Sequence, residues 1–370
     1  MMAHSRIILA YNASFQISKL IPMTEFKLSC PTPLHYEQIV LAHGGGGRLM
    51  QQLLDSTVQP IFKNTLLEQK TDCAVFQVGE QKLAFTTDSY VINPVFFAGG
   101  DIGKLAVCGT LNDLAMSGAK PLYLSCGLIL EEGFAISDLK RILQSMQETA
   151  QAAGVSIVTG DTKVVDNGKG DGIYINTSGI GLVSSDVQVS PQRIQVGDSI
   201  IINSDIARHG MAIMLAREGV AFESQIESDC ADLSGLVQEL IAAKIDLHCL
   251  RDLTRGGLAS GLLELAQTSK QRFQIQETQI PIHENVNSAC EILGFDSLYV
   301  ANEGCFVLFV AEEDTEKTLD ILRLNSHGSQ AQKIGTVINI DKNGAVILET
   351  AMRTNRQLML LSGEQLPRIC

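Results

Sequence analysis

The run Arg251-Asp252-Leu253-Thr254-Arg255-Gly256-Gly257, followed at once by Leu258, Leu262, Leu263 and Leu265, decides how the chain is read. Two glycines free the backbone, and leucines at helical spacing then open a buried helix. Backbone N–H groups at such a helix start can approach an anion. A related arrangement occurs earlier, where His43-Gly44-Gly45-Gly46-Gly47-Arg48 precedes Leu49, Met50, Leu53 and Leu54. Gly45 and Gly46 at its centre fit either a flexible hinge or a backbone cradle for phosphate. Two glycine-opened helices, each set among alternating strands and helices, divide the chain into halves of related construction.

Outward from the first glycine run, Ala74-Val75-Phe76-Gln77-Val78 and Lys82-Leu83-Ala84-Phe85-Thr86-Thr87 read as strands joined through Gly79-Glu80-Gln81 in a hairpin. Asp72 precedes the first and Asp88 follows the second, so antiparallel pairing sets both at one edge. A helix is expected over roughly Gly103 to Ser117, with Asn112 and Asp113 interrupting its apolar side. Leu122–Leu130 reads as a buried strand. Leu139, Ile142, Leu143, Met146, Ala150 and Ala153 repeat at helical spacing after Ser137, a suitable N-cap. Strand Val155–Thr159 ends in Gly160-Asp161-Thr162-Lys163, and Ile173–Val183 completes an α+β first half. Pro191 and Gly197 mark the boundary.

The second half restarts with a strand over 199–203, a helix after His209-Gly210 and another over Leu233–Lys244. Beyond the second glycine run come a helix near Asn285–Leu293, the turn Ala301-Asn302-Glu303-Gly304, and the strand Cys305–Val310. A helix over Glu313–Leu324 and strands near Lys333–Ile340 and Ala345–Leu348 follow. Residues 351–370 carry no regular pattern and read as a mobile tail ending in Pro367-Arg368-Ile369-Cys370. A thiol on such a tail can travel. Arg368 favours its thiolate, whereas the adjacent C-terminal carboxylate opposes it. The resulting segments are an extension over 1–33, domains over 34–190 and 191–350, and the tail over 351–370.

Composition narrows the function. With 370 residues, 45 % hydrophobic and 19 % charged, the chain reads as a soluble globular protein of about two domains. A net charge of −13 argues against nucleic acid and anionic membrane as partners. No apolar stretch reaches membrane-spanning length. Nine cysteines without a C-x-x-C pair fit neither a disulfide scaffold nor a four-cysteine zinc site, which places the protein in a reducing compartment, the cytoplasm. The seven histidines include no i, i+4 pair. Residues 1–22, with the short apolar run Ile7–Tyr11 and a second methionine at Met23, read as the product of a start set too early rather than as a signal peptide.

Acids recur at expected element ends: Asp72, Asp88, Asp161 and Asp252, with Asp113 inside a helix. Singly, each fits a cap or a turn. Gathered, they repel and raise one another's pKa, a cost that a divalent cation removes. Magnesium takes oxygen ligands and completes its shell with water and substrate phosphates, so the set points to a magnesium–nucleotide site. The chain has no G-x-x-x-x-G-K-[ST] and is not a P-loop protein. Lys163 suits phosphate contact or an ordinary surface position. Glu303 suits a general base, if desolvated, or a turn cap.

Together, several motifs resemble the HypE family of carbamoyl dehydratases, hydrogenase maturation factors within the aminoimidazole ribonucleotide synthetase-like (PurM-like) superfamily. They are Ala42-His43-Gly44-Gly45-Gly46-Gly47, Thr86-Thr87-Asp88-Ser89-Tyr90-Val91, Gly99-Gly100-Asp101-Ile102-Gly103-Lys104-Leu105, Thr159-Gly160-Asp161-Thr162-Lys163-Val164-Val165, Arg251–Gly257, Ala301–Gly304 and the terminal Pro367-Arg368-Ile369-Cys370. The resemblance runs from about Leu41 to the end. It implies an N-terminal α/β domain that pairs into a dimeric β-barrel, and a C-terminal α+β domain. It further implies ATP-dependent dehydration of an S-carbamoyl group on Cys370 to a thiocyanate. In that scheme a carbamoyltransferase, HypF, supplies the group, and cyanide passes to the iron of a nickel–iron hydrogenase through a HypC–HypD scaffold. Carried over by motif, Asp72, Asp88, Asn112, Asp113, Asp161, Asp252, Gly45 and Gly46 would hold magnesium–ATP, with Asp72, Asp88, Asp161 and Asp252 on the Mg2+. Lys163 and Glu303 would flank the thiocarbamate on Cys370 for the proton transfers. Two other readings stand beside this one: an ATP-dependent kinase or synthetase acting on a free small molecule, and a non-catalytic carbamoyl carrier.

Overall fold

In the computed structural model, which describes residues 36–218, 226–363, 366 and 368–370, the first glycine run leads into a short helical stretch. Helices α1 (Arg48–Leu53) and α2 (Gln59–Phe62) are joined through a π-type turn over Leu54–Val58. The expected extension 1–33 lies outside the described residues.

Strands β1 (Ala74–Val78) and β2 (Gln81–Tyr90) form the hairpin, with Ala74 opposite Phe85 and Val78 opposite Gln81. Gly79 turns the corner at φ +60°, a conformation that costs glycine little. Strand β2 runs on to Tyr90, so Asp88 stands inside it rather than beyond its end. A small ribbon, β3 (Phe96–Phe97) and β4 (Gly100–Asp101), leads to α3 (Ile102–Met116). The Asp101 carboxylate caps α3 by accepting the N–H groups of Gly103 at 2.7 Å and Lys104 at 3.1 Å. Then come β5 (Ala119–Glu131), α4 (Ile136–Ala152), β6 (Ser156–Val165) and β7 (Ile173–Val183). The sheet order is β1-β2-β7-β5-β6, parallel only between β5 and β6.

Three expectations in this half need correction. Asn112 and Asp113 do not interrupt α3, which is buried on nearly every side because it lies between the first sheet and the second half. Its polar pair meets partners on both flanks. Ser137 is not the cap of α4: the helix opens after Ala135, whose carbonyl accepts the N–H groups of Asp138 and Leu139, and Ser137 falls in the first turn. Strand β6 does not stop before Gly160 but continues through Asp161 and Lys163. A β-carbon at Gly160 would overlap the Cys126 carbonyl, so glycine here lets β6 stay paired with β5.

The second sheet contains β8 (Ser199–Ile202), β9 (Cys249–Asp252), β10 (Gln271–Gln276), β11 (Phe306–Val310), β12 (Gln332–Ile340), β13 (Ala345–Glu349) and β14 (Asn355–Gln357). Their order is β14-β13-β10-β12-β8-β11-β9. Around it lie α5 (Arg208–Glu218), α6 (Ser234–Ala242), α7 (Gly257–Ser269), α8 (Glu284–Leu293) and α9 (Thr315–Leu324). Strand β11 shows why its sequence is unbroken apolar. Phe306, Leu308 and Val310 pack with Leu236, Leu240 and Leu322, while Val307 and Phe309 pack with Leu258 and Leu262 on the other face.

The chain end is not loose in this structure. Strand β14 pairs antiparallel with β13, and Leu358, Leu366 and Ile369 return to the core. Burying Leu366 and Ile369 stabilises docking by about 1.5–3 kcal/mol each. Ordering each backbone residue costs about 1–2 kcal/mol and opposes docking. Three apolar anchors without a period, and a three-residue strand, leave no signal that separates this segment from a free tail.

Candidate active site

Four of the five aspartates converge where the two sheets face each other. Asp72 lies just before β1, Asp88 in β2, Asp113 on α3 and Asp252 at the end of β9. The Thr86 hydroxyl ties two of them, lying 2.8 Å from an Asp113 oxygen and 3.2 Å from the Asp72 carbonyl. Burial pushes the Asp113 carboxyl well above its usual range, and Asp252, Asp72 and Asp88 add to the rise. Burial, then Asp72, pushes Asp252 up to about 7 against the opposing charge of Arg251. Burial also raises Asp88, opposed by Arg255 and the Ser89 N–H. Each acid keeps its proton to a higher pH than it would in water, which is the cost expected of carboxylates gathered without a cation.

Asp72 is placed differently. Its carboxylate pairs with Arg251 at 3.0 Å, and Arg251 pairs with Glu264 at 2.8 Å. Burial still raises Asp72, with Arg251 opposing. Cavities of about 250 and 610 Å3 open on either side of this pair, both lined by Lys70, Asp72 and Arg251. The larger falls within the roughly 300–1,000 Å3 common to small-molecule sites.

Among the described residues no three acidic, histidine or cysteine side chains stand together as a ready-made metal site. The donor chemistry of Asp88, Asp113 and Asp252 nevertheless fits magnesium, being all oxygen and mutually repelling. Asn112 is not free to serve a nucleotide: its amide donates to the Ala231 carbonyl at 3.0 Å and its oxygen accepts the Leu233 N–H at 2.8 Å. It braces the two halves.

Glu303 is buried, and its Oε1 meets no hydrogen-bond partner among the described residues. Burial pushes its carboxyl far up, with Cys230, Asp252, Asp229 and Asp88 adding to the shift. Asp229 fixes its backbone by accepting the N–H groups of Glu303 at 3.2 Å and Gly304 at 3.0 Å. Desolvation is therefore complete. Cys370 docks near β2, an oxygen of its terminal carboxylate accepting the Val91 N–H at 2.9 Å just past that strand. Arg255 ties these groups electrostatically: its guanidinium is stabilised first by Cys370, then by Asp88 and Glu303.

Arg255 also meets the first glycine run. Its guanidinium donates to the Gly44 carbonyl at 3.3 Å, and a β-carbon on Gly46, which has φ +71°, would stand 2.9 Å from Arg255 Cβ. The Arg48 N–H donates to the Leu361 carbonyl at 3.0 Å. Gly45 lines the same small cleft, with Arg255, Leu366 and Ile369. The glycine run thus lies against the tail.

Asp161 and Lys163 are not brought to this cluster within one chain. Across the sheet Asp161 aligns with Gly127, Asn176 and Ser89, the residues on the opposite face from Asp88. Three strand spacings of about 4.8 Å put it roughly 14 Å from β2. Lys163 and Asp161 pair with each other, with side chains 67 % and 69 % exposed. Lys163 holds the Asp161 carboxyl below its usual range, the reverse of the buried acids.

Sequence reasoning left Arg255, Arg251, Glu264 and Asp229 without roles. Arg255 and Arg251 stood in a quoted motif, and Glu264 is an acid on α7, so a signal existed for these. Asp229 lies in an irregular segment that offers none.

The comparisons with known proteins give the family. The model for the AIR synthase related protein N-terminal domain matches residues 70–183, and that for the C-terminal domain matches 195–347. Two PurM-like domains define the class. Carbamoyl dehydratase HypE of Azotobacter vinelandii is 47 % identical over 332 residues, 90 % of this chain and 97 % of its own. A solved HypE–HypF complex matches with TM-score 0.78 and 43 % identity, covering 84 % of this chain and 99 % of that one. A hydrogenase maturation protein HypE in complex with ATP matches with TM-score 0.76 and 43 % identity, covering 90 % and 100 %. The chain belongs to the HypE family of carbamoyl dehydratases.

Proposed function

We propose that this carbamoyl dehydratase acts on its own terminus, converting S-carbamoyl Cys370 to a thiocyanate with conversion of ATP to ADP and phosphate. The observation that carries the reading is the docking of Cys370 on Val91, just past the strand that holds Asp88, with Arg255 under the charge of Cys370, Asp88 and Glu303 together. A kinase acting on a free small molecule has no use for a docked terminal cysteine.

Magnesium–ATP, when bound, supplies the phosphoryl group that makes the amide oxygen of the thiocarbamate a leaving group. Asp88, Asp113 and Asp252 would hold the metal, and the cavities around Asp72 and Arg251 would take the nucleotide. Two N–H protons must leave as the C≡N bond forms. Glu303, desolvated and raised, accepts one once it is ionised, and Lys163 accepts the other as the free amine. Arg255 faces the charge at Cys370 while its guanidinium donates to the Gly44 carbonyl.

Lys163 reaches the site from a second copy. The outer face of the first sheet exposes Phe85 at 46 %, Tyr123 at 51 % and Ile129 at 44 %, and β1 and β6 are its unpaired edges. Closing two such sheets into a barrel sets the β6 of one copy beside the β1 of the other. The second copy's Asp161 and Lys163 then stand next to the strand that begins after Asp72. HypF would deliver the carbamoyl group, and HypC–HypD would accept the cyanide. All eight described cysteines are free thiols, in keeping with work in the cytoplasm. Among the described residues no helix is long and apolar enough to cross a membrane.

Mass analysis of Cys370 after incubation with HypF, carbamoyl phosphate and magnesium–ATP tests this. The expected result is S-carbamoylation followed by thiocyanate only when ATP is present. A thiocarbamate that persists with ATP would overturn the reading.

A further inference from the structure

The docked terminus is held largely through its backbone. Arg217 donates to the Arg368 carbonyl, the Val91 N–H to the terminal carboxylate of Cys370, and His209 Nε2 lies 2.8 Å from the Ile369 carbonyl. Arg368 itself donates from Nε to the Val91 carbonyl at 3.0 Å and pairs with Asp171. Of these side chains only His209 is fully buried. Its ring stands edge-on to Phe97, with centroids 5.6 Å apart, and its Nδ1 lies 2.8 Å from the Ser228 hydroxyl.

The tautomer follows from the partners. A carbonyl only accepts, so Nε2 carries the proton and Nδ1 accepts from Ser228. Burial pushes the imidazole down to about 4, with Arg217 adding and the Ile369 bond opposing, so the ring is neutral near pH 7. The Ser228 N–H in turn donates to the Ala98 carbonyl at 2.8 Å, and its hydroxyl oxygen accepts the Cys230 N–H at 3.1 Å. Between them Asp229 holds the backbone of Glu303 and Gly304. Three consecutive residues therefore orient the candidate base on one side and, through His209, the terminal residues on the other.

We propose that His209, set by Ser228, is a positioning residue for the dehydration: it fixes the register of the last peptide so that Cys370 lies beside Glu303. The proposal rests on the reading of Cys370 as the site of chemistry. His209 touches no reacting atom, and its effect passes through the Ile369 carbonyl.

The test uses the full chain as wild type, His209→Leu, which keeps bulk and loses both bonds, and His209→Gln, which keeps an N–H donor. Single-turnover dehydration of the S-carbamoylated protein should slow roughly two- to tenfold in His209→Leu, the range of one lost hydrogen bond, and less in His209→Gln. Tryptic cleavage after Arg368, read by intact mass, should accelerate by a similar factor, with ATP affinity unchanged. Wild-type dehydration and wild-type cleavage in His209→Leu would overturn the proposal. So would equal losses in both variants together with lost ATP binding, which mark a structural role only. Should His209→Leu fail to fold, Ser228→Ala, which removes the donor to Nδ1, gives the same readouts. If wild-type protein does not dehydrate the thiocarbamate, the functional reading falls, and the cleavage arm alone still decides on His209.

Discussion

The two faces of the first sheet carry acids in opposite electrostatic states. On the inner face Asp88, with Asp113 of α3, is desolvated and raised in pKa; on the outer face Asp161 is open to solvent and lowered by Lys163. Strand alternation alone separates them, since Asp88 aligns with Thr177, Cys126 and Gly160 while Asp161 aligns with Asn176 and Ser89. One chain thus assembles the inner acids with Glu303 and Cys370, and leaves its lysine on the face that a second copy would cover. Residues of one motif set need not meet within one subunit.

The largest expected effect comes from removing one proton-transfer residue on each side of that divide. Glu303→Gln and Lys163→Ala should each slow dehydration roughly 10²–10⁴-fold while Cys370 still accepts the carbamoyl group. Rapid-quench analysis of the thiocarbamate measures this; a Lys163→Ala variant at the wild-type rate removes the outer face from the reaction.

Stability should divide the faces next. The Asp252 carboxyl titrates near 7 in the folded protein against an ordinary 3.8, so the folded state binds that proton more tightly. Stability from this group falls as pH rises from about 4 to about 7. Asp252→Asn relieves the loss and should raise the metal-free melting temperature at pH 8 by several degrees, whereas Asp161→Asn should change it little. Added magnesium chloride should stabilise wild type more than Asp252→Asn. Calorimetry showing equal magnesium effects would argue against a metal on the inner acids.

The smallest effect concerns the tail. His209 titrates near 4 when covered against an ordinary 6.5, so the undocked state binds more protons between those values. The proton penalty on docking is absent above about pH 6.5 and grows as pH falls toward 4, by at most about tenfold per unit. Arg217 faces the same ring and stays charged throughout. Hydrogen exchange of the C-terminal peptide, corrected for intrinsic rates, should lose protection between pH 7 and 5; constant protection would contradict the coupling.

Much of this was legible in the sequence where a period or a motif carried it. The hairpin β1–β2, the amphipathic α4 and the doubly buried β11 follow from alternation, helical spacing and an unbroken apolar run. Asp88 and Asp252 stood out as acids at expected strand ends, and Glu303 as an acid beside Gly304 at a strand entry. Asp113 read as a flaw in α3 because the partner that buries it belongs to another part of the chain. The face of Asp161 and Lys163 depended on β6 continuing through Gly160, where a glycine ordinarily suggests a break. Docking of the tail rests on backbone carbonyls, which every residue has, and on Arg368 and three apolar side chains without a period, so no side-chain pattern announces it.

The central claim is that each site takes Glu303 and Cys370 from one copy and Lys163 from the other, and a mixing experiment tests it most directly. Lys163→Ala and Glu303→Gln proteins should each be nearly inactive alone. They are co-refolded in equal amounts, carbamoylated and supplied with magnesium–ATP. If the lysine acts across the interface, every mixed dimer holds one intact site, and random assortment restores about a quarter of wild-type dehydration. Thiocyanate formation no higher than in either variant alone would contradict the account, because residues acting within one chain leave no intact site in any dimer.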